Sequence, residues 1–182
     1  MIRISQFPTN ESQAPHLRLI RTPHTNPLHL YPTSTTWIGV YTHWYLGKTQ
    51  PCLLPDPCPA CEENVPTRWK GYLAAIISQT QEHILWEFPE SLIPTLRPYL
   101  DEHRTLRHSL IIARRIKPYP TARIIATIRP APPDIPSLPP EPDILRTLHT
   151  IWNLPYTPGQ PIPLDTVLGP IHNPTRNNRK RP

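Results

Sequence analysis

Four side chains within one short stretch have the types and spacing to hold a metal ion. In H-W-Y-L-G-K-T-Q-P-C-L-L-P-D-P-C-P-A-C, His43, Cys52, Cys58 and Cys61 are spaced His-x8-Cys-x5-Cys-x2-Cys. A Cys-x2-Cys pair suits zinc because a tight turn aims both thiolates at one tetrahedral centre, while the remaining ligands can arrive from elsewhere on the chain. Pro57 and Pro59 stiffen that turn. His43 is the expected fourth ligand because it ends a strand-like segment that leads into the loop; Asp56, Glu62, His83 or a more remote histidine are the alternatives. Four ligands without an open position make a structural site, with an apparent binding free energy of about 10–16 kcal/mol.

Other chemistries fit the same residues less well. A redox dithiol usually sits at a helix N-terminus, and Glu62-Glu63 after Cys61 would raise rather than lower a thiol pKa. Catalytic zinc needs an open position and a general base, and no His-x-Glu precedes the cysteines, so the deaminase arrangement is absent. Three cysteines, all between 52 and 61, do not make a disulfide framework. No Gly-rich phosphate loop, nucleophile motif or carboxylate cluster suggests an enzyme.

The elements that must position these ligands are bounded by composition. The chain has 182 residues, enough for one domain of ordinary size plus tails. Its 29 prolines against 5 glycines exclude regular structure from much of its length, because proline removes a backbone donor. The proline-poor windows 34–50 and 67–88 are the places where strands can lie. A net charge of +6, carried mostly by arginine, favours a polyanionic partner. No run of 18 apolar residues and no signal-peptide pattern is present, so a cytoplasmic location without a membrane partner is expected.

Residues 1–33, broken by five prolines, read as a proline-rich arm with a weak strand near Leu17. Ser34 to Leu46 (S-T-T-W-I-G-V-Y-T-H-W-Y-L) has the β-branched and aromatic content of a strand, with Ile38 and Val40 on one face and Trp37, Tyr41 and His43 on the other. Lys48 to Pro66 reads as the loop holding the cysteines. Arg68 to Gln79 and Glu82 to Phe88 are the next strands; in the first, Trp69, Leu73, Ala75 and Ile77 face inward, leaving Arg68, Lys70 and Tyr72 outward. A short helix is expected within Glu90 to His103. A hairpin follows, Ser109–Lys117 with Ala122–Arg129, in which Leu110, Ile112 and Ile116 face Ile124, Ala126 and Ile128. Residues 131–141 form a stiff proline linker, 142–154 an amphipathic docking helix, and 155–182 a basic tail expected to be disordered.

Together these elements predict a mainly β fold: a small five-stranded barrel of the oligonucleotide-binding (OB) type over 34–130, with an inserted zinc loop and one short helix between strands. Such barrels bind single strands by pairing a basic groove with aromatic platforms. Trp37, Tyr41, Trp44, Arg68, Lys70 and Tyr72, with Arg115, Lys117 and Arg123 beyond them, are the candidate contacts to single-stranded DNA, or to RNA. Core burial is the alternative for the aromatics. A competing reading is a zinc-stabilised interaction module whose 142–153 helix engages another protein.

The order His…Cys…Cys-x2-Cys in a loop between early strands of a basic, aromatic barrel resembles the zinc-containing single-stranded DNA-binding proteins of T-even phages, in which the gaps are longer. The resemblance covers about residues 37–77. It implies the same four zinc ligands and base-stacking roles for the neighbouring aromatics. The end of the chain departs from that family: R-N-N-R-K-R-P stands where such proteins carry an acidic tail.

Overall fold

The two proline-poor windows do supply the centre of the molecule. The computed structural model describes residues 17–53, 56–135 and 137–156. In chain order the strands are β1 (Arg18–Arg21), β2 (Leu28–Pro32), β3 (Ile38–Tyr45), β4 (Lys48–Pro51), β5 (Thr67–Ile77), β6 (His83–Pro89), β7 (Ser109–Arg115) and β8 (Ile124–Pro130). The helices are α1 (Pro59–Glu62), α2 (Ile93–His103, entered through a 3-10 turn at Glu90–Leu92) and α3 (Ile144–Trp152). The fold is mainly β, as expected, but its eight strands form one open sheet in which β1 and β8 do not pair with each other.

β5 is the spine. β6 runs antiparallel along one side of it, from Ile76↔His83 to Lys70↔Pro89. The other side is shared: β3 pairs with its first half, Thr67 to Tyr72, and β2 with its last three residues. Between β2 and β3 the strand breaks, and the N–H groups of Thr33 and Ser34 both donate to the Ala74 carbonyl, at 2.8 and 3.4 Å. At that break the sheet forks. β2 leads outward to β7 and β8, whereas β3 leads to β4. β1 lies parallel to β6 on the far edge.

The sheet also curls. The Arg21 guanidinium donates to Thr49 Oγ1 at 2.8 Å although β6, β5 and β3 lie between β1 and β4. In a flat sheet those strands would be about 19 Å apart. Arg21 also pairs with its direct neighbour in the β1–β6 ladder, Glu87, a buried carboxylate that receives Lys70 as well.

Both faces of the sheet are buried. One carries Trp37, Trp69, Leu73, Ile84, Trp86 and Phe88 beneath Ile93 and Leu96 of α2. The other carries Leu17, Val40, Tyr72, Ala74 and Leu85 beneath Ile144 and Leu148 of α3. The alternation expected within β3 and within β5 is present, yet the β5 face read as outward is the seat of α3, and Trp37 and Tyr41, expected to join Arg68, Lys70 and Tyr72, lie on the opposite, α2-side face. In β7 the parity is the reverse of the expected one: Ile111 and Ala113, opposite Ile128 and Ala126, are the fully buried residues.

β2 and β4 were not anticipated. The expected 1–33 arm contains a strand hydrogen-bonded on both sides, and the expected cysteine loop begins with β4. L-H-L-Y-P and K-T-Q-P are too short, and too close to prolines, to display a period of two. The arm's first sixteen residues and the basic tail from residue 157 lie outside the described residues.

α3 begins where Asp143 accepts the Arg146 N–H at 2.9 Å and ends at Asn153 in the left-handed region. A side chain that satisfies an otherwise free N-terminal donor contributes about 0.5–2 kcal/mol. Asp143→Ala is therefore expected to lower the unfolding free energy measured in urea by that amount without changing the denaturant slope. No helix among the described residues is long and apolar enough to cross a membrane.

Candidate metal centre

β3 delivers His43 three residues before the hairpin tip at Leu46, on the side facing the cysteine segment. The hairpin returns through β4 to Cys52, whose N–H donates to the Tyr41 carbonyl at 2.8 Å. The chain then turns at Cys58 into the single helical turn of α1, with Pro59 at its first position, where the fixed φ suits a helix start. Cys58 and Cys61 are three apart across that turn and so lie on the same side of it. Val65 N–H donates to the Ala60 carbonyl at 2.8 Å, closing the turn, and Asn64 takes a positive φ to leave it.

The four candidate ligand atoms all lie within 4.8 Å of one another. His43 Nε2 stands 3.7 Å from Cys58 Sγ and 3.4 Å from Cys61 Sγ, and Cys52 Sγ is 3.6 Å from Cys61 Sγ. These are the edges of a tetrahedron about one ion, for which sulfur and nitrogen bond lengths give edges of about 3.4–3.8 Å. His43 Nδ1 donates to the Val65 carbonyl at 2.9 Å. That bond places the proton on Nδ1 and leaves the Nε2 lone pair for the metal. Asp56, Glu62 and His83, the alternatives for the fourth position, are not in the cluster; His83 Nε2 instead pairs with Thr33 Oγ1 at 2.7 Å.

Electrostatics at the sulfurs differ. Burial pushes the Cys58 thiol up, but the N–H groups of Leu53, Cys61 and Ala60 aimed at its sulfur outweigh that and leave it below the ordinary value. Burial, together with the sulfurs of Cys52 and Cys58, pushes Cys61 up to about 12. All three thiols are free, and a cation is what would let the three charges coexist in one small site. Cys58 does cap a helical turn, contrary to the loop expected. The convergence of both thiols on His43 and Cys52 makes the arrangement that of a metal ligand set. Tyr45 was not foreseen as part of the site; its hydroxyl donates to Glu63 Oε1 at 2.6 Å, a bond that raises its pKa and ties the hairpin to α1.

The nine residues expected at a nucleic-acid interface fall in different places. Trp37 is 0% exposed and Tyr72 1%, so neither offers a ring face. Trp37 packs edge-on to Phe88 with ring centroids 6.1 Å apart, and Tyr72 edge-on to Trp152 of α3 at 5.6 Å. Tyr41 is half-buried against the α2-side core and the cysteines. Lys70 is half-buried and 3.3 Å from Glu87, which engages its charge locally. Arg115 donates to the carbonyls of Thr22, Pro120 and Ala122, so it ties the β7 end to the β1–β2 and β7–β8 connections. Lys117, over the Tyr119 ring, and Arg123 are exposed at the β7–β8 turn, at the opposite end of the β2–β3 line from the metal centre. Trp44 and Arg68 are exposed beside the metal centre.

No family model, curated protein or solved structure matches this chain. The helix expected to engage a partner protein through 142–153 directs Ile144 and Leu148 onto the chain's own sheet.

Proposed function

We propose that this protein is a non-catalytic single-stranded DNA-binding protein in which a structural zinc ion stiffens the β3–β4 hairpin. The observation that carries the reading is Trp44: it is 61% exposed at the hairpin, on the sheet face that also presents Arg68. Arg68 stands opposite Thr42, two residues from Trp44 on the same face, and Thr49, opposite Trp44, is the residue that Arg21 bonds. An exposed indole face beside the Arg68 guanidinium is the combination that stacks a base and neutralises its phosphate. One histidine and three thiolates at tetrahedral spacing favour zinc among the common divalent ions.

The ligand order and the curled sheet with its basic, aromatic rim support the likeness to OB-type barrels and to the zinc-containing proteins of T-even phages. In this reading β2 and β4 are elaborations of the barrel, and α3 covers part of the surface that a simpler barrel leaves open.

The test is a fluorescence titration with oligo-dT. Trp37, Trp69 and Trp86 are buried and Trp152 is half-buried against Tyr72, so Trp44 is the tryptophan most open to quenching, and Trp44→Ala isolates its share. Quenching is expected at low salt, with log affinity falling by about 0.7 per phosphate contact for each tenfold rise in salt. Trp44→Ala is expected to remove most of the quenching and to cost about 1–3 kcal/mol in affinity. Absence of quenching by the parent protein at low salt would overturn the reading. Equal affinity for oligo-U makes the ligand single-stranded nucleic acid generally, and preference for duplex refutes single-strand binding.

A further inference from the structure

The β3–β4 hairpin ends in a two-residue loop, Leu46-Gly47, between the paired residues Tyr45 and Lys48. Both loop residues have positive φ, 50° at Leu46 and 76° at Gly47. Such a turn matches the twist of a two-stranded hairpin, but its first position belongs to Asn, Asp or Gly, because a side chain there crowds the backbone. A leucine is the wrong residue for the turn. It is also the wrong residue for the surface, because at 79% it is the most exposed of the large apolar side chains among the described residues. Neither local conformation nor core packing accounts for it, and strain held where nothing local benefits is characteristic of functional positions.

The surroundings give the leucine a use. His43 and Cys52 grip the two stems of this hairpin through the candidate metal centre, and the Tyr45–Glu63 bond braces it against α1. The tip is therefore an apolar point on a stiff support. Trp44 flanks it on one face, and Lys48 is exposed at its root. Apolar side chains on rigid, basic projections are what proteins insert between base pairs to unstack them.

We propose that Leu46 is a wedge that enters the stack at a junction between single-stranded and double-stranded DNA, while Trp44 holds the first unpaired base. The inference rests on the single-strand binding proposed above. It adds a substrate feature, the junction, and a residue that recognises it.

The test uses the full-length, metal-loaded protein and a hairpin DNA with a single-stranded dT tail, carrying 2-aminopurine at the last paired position. The parent protein is expected to raise 2-aminopurine fluorescence severalfold, because unstacking relieves its quenching. Leu46→Gly removes the wedge, and glycine accepts positive φ without crowding, so this variant is expected to keep its metal and to melt no lower than the parent. It should lose most of the 2-aminopurine rise while its oligo-dT affinity stays within about twofold of the parent's, well inside one decade per 1.4 kcal/mol. An undiminished rise with Leu46→Gly overturns the wedge. So does oligo-dT binding by the parent protein with no change at the junction, which leaves single-strand binding standing. Failure to bind oligo-dT at all refutes the underlying reading together with the wedge. Leu46→Met, which keeps an apolar point, is expected to retain at least half of the rise; complete loss would also count against the wedge.

Discussion

Cys58→Ser is expected to abolish stoichiometric metal binding and to melt the β3–β4 hairpin while the two-faced sheet stays folded. The cysteines form a small apolar cluster of their own, with Ala60, Leu53 and Val65, separate from the two cores beneath α2 and α3. That cluster is small, so a metal bound by it would supply most of the segment's stability. The sheet cores do not depend on it. Hydrogen exchange should read the difference. Protection of the Cys52 and Val65 amides is expected to fall by at least about a thousandfold, equivalent to roughly 4 kcal/mol of local stability, whereas β5–β6 amides such as those of Ala74 and Leu85 keep theirs. Chelator treatment of the unmodified protein should give the same pattern. One equivalent of metal retained by Cys58→Ser, with unchanged protection at Cys52, would refute the assigned ligand set.

Gly71→Ala is expected to destabilise the whole protein by about 3 kcal/mol, the upper part of the range for overpacking a filled core. Gly71 and Gly39 are directly opposite each other on β5 and β3, and both face the α2-side core. A Cβ on Gly71 would stand 2.2 Å from Cζ of Phe88, and one on Gly39 would stand 2.4 Å from the Trp69 ring. Neither ring can retreat. Phe88 is fully buried, and its centroid lies 6.0 Å from that of Trp69 and 4.9 Å from that of Trp86. Two glycines thus give the aromatic cluster its floor. If the clash is the cause, trimming the ring should relieve it. Gly71→Ala combined with Phe88→Leu is expected to be less destabilised than the sum of the two single changes by at least about 1 kcal/mol, measured as a double-mutant cycle in urea. Strict additivity would place the cost of the alanine elsewhere.

Much of the candidate metal site was legible in the sequence because its chemistry is local. Three thiols and a histidine within a short span have few ways to be arranged, and the Cys-x2-Cys turn aims two of them. The strand alternation was legible too, since Trp69, Leu73, Ala75 and Ile77 share one face as their spacing requires. What alternation cannot say is whether the opposite face is wet. Tyr72 and Trp37 lie on opposite faces of the sheet, and each is a candidate platform only while its own face is taken to be open; an amphipathic 142–153 segment announces that it will dock without announcing where. Its seat over Tyr72 is decided by a tertiary contact between distant parts of the chain. The parity of β7 failed for a related reason: Leu110, Ile111 and Ile112 are all apolar, so hydrophobicity leaves the inward face undecided. The Leu46-Gly47 turn carried a signal in its glycine, but a leucine beside it is not the expected partner.

The parallel ladder of β1 with β6 joins Arg18 to Ile84 and has a consequence for biosynthesis. During translation β1 leaves the ribosome well before β6, its sheet neighbour among the described residues, exists, and at about 5–20 residues per second the wait is about 3–13 s. The β5–β6 hairpin, by contrast, can close within microseconds of its synthesis. The last helix among the described residues, α3, is also the one that packs against Leu17 at the head of β1. The nascent chain therefore keeps β1 unpaired until β6 has been made, and final consolidation waits for both ends of the described chain to be present together.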